Sequence, residues 1–367
     1  MIAVLLAVCL FVLASSSIPS LAAFSLGMRV VGALVVIAPV IWRKRPKLRE
    51  SYSRKSHSTF SIGIGFGLFL VASELSHGRV LALALGLISF LLVASLIHAL
   101  LYYYSSAQIV DGAYAAFMLT CVASLIVGQL LPEIGIEQLR LRGVLENANG
   151  LGFVAFALGA VSLAARFGRW QSLLGLGVAL ACLFLTGSRA SMLALVIVAI
   201  GLAIGKVRRA RLWLILGALA MTVAWLWSPG LLVDLPLLRT TDSRSAGFDV
   251  IQDALSDSLW IGRGELPTEV NVAGSPFAAG IQGGVLGLLA LVMMYMALFR
   301  GFASSRPRAL TLVVAGIVHS VFESWILSFS APMLLVFFVM LVGFVKLDSE
   351  DAEGRRAEET HLRAWAR

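Results

Sequence analysis

At 367 residues the chain is long enough for about a dozen spans of roughly 20 residues with short loops between them. Apolar residues make up 59% of it and charged residues 13%, with a mean hydropathy of +0.92; a soluble domain carries roughly 25% charged residues, so a water-soluble globular fold is excluded. The net charge of +9 does not indicate nucleic acid, because the basic residues sit in short clusters beside long apolar runs, as bilayer topology requires.

In chain order, apolar runs predict spans at 2–18, 24–42, 59–75, 80–103, 108–131, 148–165, 171–187, 190–205, 212–229, 275–299, 309–327 and 329–346. The expected fold is an all-α, polytopic transmembrane helix bundle of about 10–12 spans. The apolar N-terminus, Met1 to Ala23, lacks the basic leader of a secretory signal and reads as the first span. Basic clusters follow at 43–55, at Arg166 and Arg169, at 206–211, at 300–308 and from Lys346 onward. Twelve spans with the N-terminus inside put every one of these on the cytoplasmic face, where Trp42, Trp170 and Trp213 also fall as interfacial anchors. Cys9, Cys121 and Cys182 lie within apolar runs and have neither metal-ligand nor disulfide-framework spacing.

The longest polar stretch, about 228–274, is an outer loop. Within it 244–259 reads as an amphipathic surface helix, with Phe248, Ile251, Leu255 and Leu259 on one face and Asp249, Gln252, Asp253, Ser256 and Asp257 on the other. Gly262 and Gly264 then mark a turn. Residues 1–347 form an integral membrane domain, and 348–367 a mixed-charge cytoplasmic tail.

Arg79, Arg140, Arg142, Arg189, Arg239, Arg244 and Arg263 break the inside rule by standing on the outer side, and Arg29 lies within the second span. Arg189 is wedged between two apolar segments and needs a polar cavity or a partner, because exposure to lipid would cost several kcal/mol. Arg140 and Arg142, with Asn147 and Asn149, offer donors suited to phosphate or sugar oxygens. Asn147 or Asn149 is equally placed to cap the span beginning near Leu151. With Ser188, Arg239 and Arg263 these residues form the expected substrate-binding set around an outer vestibule, where guanidinium forks match a diphosphate without a metal. For a general base the outer carboxylates Asp242, Asp249, Glu146 and Glu265 are candidates, Asp242 first by loop position. Glu323, four residues beyond His319 on one helical face, is placed to partner that histidine.

The stretch from Arg140 to Leu202 resembles the O-antigen ligase and polymerase superfamily. Its points of match are Arg142-Gly143, the Asn147-Ala148-Asn149-Gly150 step and the Thr186-Gly187-Ser188-Arg189-Ala190 turn. Arg244 with Phe248, Gly262-x-Gly264 and the Gly284-Val285-Leu286-Gly287 step extend it to about 290. The resemblance implies a fold of the membrane glycosyltransferase C type in a bacterial cytoplasmic membrane; the basic clusters put both termini on its cytoplasmic side. The resemblance also implies transfer of a polyprenyl-diphosphate-linked glycan to a glycan or lipid acceptor, without metal or nucleotide sugar. Arg142, Arg189 and Arg244 would hold the diphosphate and stabilise the leaving group. The chain departs from the pattern at the ligases' His-Asn pair, which falls on Ala273 and Gly274. The ligase role is weakened by that departure, and a polymerase or another glycan transferase of the same fold remains open. The competing class is a transporter or flippase lined by Arg29, Arg189, His319 and Glu323, although no repeated half is visible in the sequence.

Overall fold

The computed structural model describes residues 1–14, 25–42, 53–165, 167–204, 243–266, 274–303, 307–328 and 332–365. The helices are α1 (Ile2–Leu13), α2 (Ser25–Trp42), α3 (Ser53–Leu70, continued by a π-turn at Val71–Leu75), α4 (Val80–Tyr103), α5 (Ser106–Leu130) and the single turn α6 (Pro132–Gly135). After a two-stranded hairpin, β1 (Ile136–Glu137) and β2 (Arg140–Leu141), come α7 (Ala148–Ala164), α8 (Arg169–Thr186), α9 (Arg189–Ile204) and α10 (Ser243–Asp257). The chain ends with α11 (Ser275–Leu298), α12 (Pro307–Phe322) and α13 (Pro332–Trp365). Each expected span that falls on described residues coincides with a helix; 212–229 lies outside them. The fold is an all-α bundle apart from the hairpin, and α13 runs without interruption through the boundary expected at 347.

Among the described residues four helices, α4, α5, α8 and α11, are long and apolar enough to cross a membrane. They differ in what they face. In α4, Val80, Leu81 and Leu91 are 64%, 76% and 61% exposed, an apolar surface that only lipid or another protein covers at low cost. By contrast α7 is buried nearly all round, from Leu151 through Ala164, among α5, α8, α9 and α13. A helix apolar on every face belongs inside a bundle. Its small residues allow close approach: a Cβ on Gly152 would lie 2.4 Å from that of Ser188, so α7 and α9 meet there almost backbone to backbone.

The side-chain contacts sort into two ends. At one, Arg308 donates to Asp348 (3.2 Å), Asp351 (2.7 Å) and the Ala164 carbonyl (3.1 Å). Ser106 donates to Glu350 (2.7 Å) and Lys346 to the Tyr104 carbonyl. Asp348 also accepts the Arg308 and Ala309 backbone N–H groups at 3.1 Å each, so a carboxylate from α13 caps the open N-terminus of α12. At the other end lie the loops around α6, β1, β2 and α10 and the junctions between α8 and α9 and after α12. Alternation of the helices between a basic end and a loop end follows from these contacts.

Candidate functional site at the loop end

The loop before α7 is built against the C-terminal end of α5. Arg142 and Gly143 both donate their backbone N–H to the Gly135 carbonyl at 2.9 Å, and the Arg142 Nε donates to Ile134 O at 2.7 Å. Gly143 (φ 61°) is left-handed and pressed on Ser124, where a Cβ would sit 2.1 Å from the serine's own. The Ser124 hydroxyl accepts from the Val144 N–H (3.3 Å). One nitrogen of Arg142 therefore anchors the loop, while its two terminal nitrogens have no partner among the described residues. The hairpin tip, Gln138 (φ 49°) and Leu139 (φ 64°), is a left-handed pair without glycine, and Leu139 is 97% exposed.

Arg140 is the centre of a polar chain. Its Nε donates to Thr186 O (2.6 Å) at the negative end of α8, and its Nη2 donates to Asn149 Oδ1 (2.5 Å). The Asn149 Nδ2 then donates to Glu323 Oε1 (2.7 Å). A guanidinium can only donate and a carboxylate can only accept, which fixes the amide's orientation. Asn147 is the N-cap of α7, accepting from Gly150 N at 2.6 Å, so of the two asparagines it is the cap and Asn149 the bridge.

Thr186 ends α8, left-handed Gly187 closes it, and α9 begins at Arg189, which stands exposed in its first turn. Ser188 is 2% exposed and donates to Ser191 Oγ (2.9 Å), so its hydroxyl is engaged inside the bundle. Ser191 Oγ lies 3.0 Å from His319 Nε2, and the Trp325 indole donates to His319 Nδ1 (2.9 Å). An indole N–H only donates, so neutral His319 carries its proton on Nε2 and gives it to Ser191. The ring is fully buried, edge-on to Phe153 with centroids 4.7 Å apart. The expected pairing of Glu323 with His319 is therefore not made: both ring nitrogens are occupied, and the glutamate side chain turns to Asn149 instead.

A second group surrounds the glycine turn after α10. The helix buries Ala254 with Val250 and Ile251 against Phe277 and Ile281 of α11 and exposes Gln252, Asp253, Ser256 and Asp257. It is amphipathic as expected but ends at Asp257, leaving Leu259 53% exposed. The turn fills a break in α11. At Gly284 (φ 57°, ψ −147°) the helix is interrupted, and the freed groups pair with the turn: Val285 N with Leu259 O (2.9 Å), Leu286 N with Trp260 O (3.1 Å), Arg263 N with Ile281 O (2.7 Å) and Gly264 N with Gln282 O (3.0 Å). Backbone at membrane depth is tolerable only when satisfied in this way. Arg79 donates to Gly264 O (2.8 Å) and pairs with Glu74 (3.2 Å) and Glu265 (3.7 Å), while His77 Nε2 lies 3.2 Å from Gly262 O. Arg263 pairs with Asp257 at 2.6 Å. Sequence distance hid His77, which the fold brings to this turn.

Of the remaining expected site residues, Arg239 and Asp242 lie outside the described residues, as does Ala273. Arg244 falls in the first turn of α10, with no described side chain. Gly274 heads α11 against the Val321 carbonyl, and Ser275 Oγ donates to Glu323 O (3.0 Å).

Beside the start of α7 and the segment after α12 opens a cavity of about 230 Å³, lined by Glu146, Asn147, Gly150, Glu323, Ser324 and Trp325 on its polar side and by apolar residues including Met333. Arg29 of α2 is close enough to Glu146 for their charges to interact. Neither a family model nor a curated protein matches the chain.

Proposed function

We propose that the chain is a membrane glycan transferase, a polymerase or ligase. It moves a polyprenyl-diphosphate-linked oligosaccharide or polysaccharide to a glycan or lipid acceptor at the outer face of a bacterial cytoplasmic membrane, with the basic end in the cytoplasm. The observation that carries the reading is that the three motif groups are joined at one end of the bundle. Arg140 links the Asn step to the α8–α9 turn, Asn149 links it to Glu323, and Ser275 links Glu323 to the broken helix that seats the glycine turn. In this reading Arg142, Arg189 and Arg244 hold the diphosphate and neutralise the charge that builds on it as the glycosidic bond breaks. Arg140 and Arg263 serve by holding the loops, given the partners they already have.

The interruption at Gly284 is the feature a transporter would use, since broken helices expose backbone groups to substrates and ions. Here the chain's own turn takes up those groups, which favours a fixed site over an alternating one. Arg189→Ala and Arg244→Ala test the reading. In membranes that retain normal amounts of each variant, glycan transfer should fall by roughly 10²–10³. Full activity in both would remove the arginines from the mechanism.

A further inference from the structure

Between α5 and α7 the chain carries an apolar tip that the proposed chemistry does not use. We infer that the β1–β2 hairpin is a lipid-seated wedge, with Leu139 at its tip immersed in the bilayer leaflet that surrounds the loop end of α5. The wedge does not depend on the transferase reading above.

Its depth follows from α5. The 25 residues of that helix run about 37 Å, against a hydrocarbon core of roughly 30 Å, so its last turns lie at the lipid boundary. Beyond Leu130 the chain folds back along the helix. Gly135 is pressed on Gly128, where a Cβ would lie 2.6 Å from the Gly128 Cα. Leu141 packs over that same glycine, and Gly143 reaches Ser124. The hairpin therefore leaves from and returns to the level of Gly128. Leu139, two residues from Leu141, stays within about 7 Å of it.

The surface joined by the hairpin is a lipid-facing one. Leu119, Val122, Ile126 and Leu130 recur on one face of α5 and are all exposed, Leu130 at 74%. The described elements leave this stripe uncovered on a helix apolar enough to cross a membrane, which assigns it to lipid. Leu131, Ile136 and Leu139, exposed in turn, continue it past the helix end.

The tip itself favours lipid over water. Gln138 and Leu139 both take left-handed backbone angles, and two-residue turns of that kind favour asparagine and glycine. A leucine there forgoes the backbone preference and, in water, exposes nearly its whole side chain as well. In the leaflet only the first cost remains. Glu133, Glu137 and Gln138, exposed around the tip, suit the headgroup layer and give the segment the mixed character of an interfacial anchor. Arg140 of β2 gives the seat a consequence, because its guanidinium holds Thr186 of α8 and Asn149 of α7. A hairpin fixed in the leaflet sets the height of that junction relative to the lipid surface.

The test places a nitroxide at Leu139→Cys in the full-length protein carrying Cys9→Ser, reconstituted in phosphatidylcholine nanodiscs; Cys121 and Cys182 are buried and escape the label. Collision with oxygen, which partitions into lipid, is compared with collision with a water-soluble nickel chelate. Ile126→Cys on the exposed stripe is the lipid reference, and Gln252→Cys on the exposed face of α10 the water reference. A wedge gives oxygen-dominated collisions at Leu139→Cys, at the depth of about 5–10 Å typical of interfacial anchors. A label at Ile136→Cys should become several-fold more accessible to the chelate when Leu139→Asp is added, because the charge withdraws the tip from lipid. Nickel-dominated collisions at Leu139→Cys, matching Gln252→Cys, put the tip in water and overturn the wedge. Low collision with both reagents means that protein covers the tip, a second copy or another part of the chain, and overturns it equally. So does an Ile136→Cys label that Leu139→Asp leaves unchanged.

Discussion

Arg140 donates its Nε to the Thr186 carbonyl at 2.6 Å, tying the hairpin ahead of α7 to the C-terminal end of α8. The same guanidinium reaches Asn149, so one side chain spans two elements. Lysine keeps the charge but not the fork. Arg140→Lys should lower stability by about 1.5–3 kcal/mol, the worth of one charge-assisted hydrogen bond, and Arg140→Ala by more. Thermal unfolding in detergent measures both, and unchanged Tm values would show that the tie carries no load.

The break in α11 makes a sharper demand. Gly284 has a backbone conformation closed to other residues, and a Cβ there would lie 2.6 Å from the Trp260 carbonyl carbon. Gly284→Ala should cost about 1–3 kcal/mol and expel the turn from its seat. Limited proteolysis near 259–264 should then cut the variant faster than the wild type.

His319 is a packing residue by its partners. Trp325→Phe removes the donor to Nδ1 and leaves a buried acceptor unsatisfied, at a cost of about 1–3 kcal/mol. Ser191→Ala should cost a similar amount at Nε2. Because both act on one ring, the double variant should fall short of the sum in denaturant unfolding. Transfer assayed well below the Tm should persist in each.

At the basic end, Asp348 caps α12 and pairs with Arg308. Asp348→Ala should lower stability by about 0.5–2 kcal/mol, the range for a lost cap. The Asp348 side chain is 2% exposed, so added salt should change that difference little; a difference that vanishes in high salt would mean a solvated pair.

The helices were legible in the sequence because apolar runs announce themselves by length and composition. The amphipathic face of α10 was legible for the same reason, through Ile251 and the exposed Asp253 and Asp257. Partners were not. Nothing local marks Arg140 as bound to Thr186, 46 positions away, or Arg79 to Gly264, 185 away. Arginines that violate the inside rule attract a ligand reading, and here most of those with described side chains also hold loops together. Glu323 was misassigned to His319 because helical spacing favours that pair, whereas Trp325, beyond the helix end, takes the nitrogen first. The glycine motifs were legible as turns, but their mutual fit at Gly284 needed the fold.

The most direct measurement is release of free polyprenyl diphosphate by the purified protein from a polyprenyl-diphosphate oligosaccharide, with and without a glycan acceptor. Glycan transfer predicts release that depends on the acceptor, coupled one-to-one to a lengthened or newly attached glycan. No release under either condition, together with vesicles that accumulate a solute through the same protein, would contradict it.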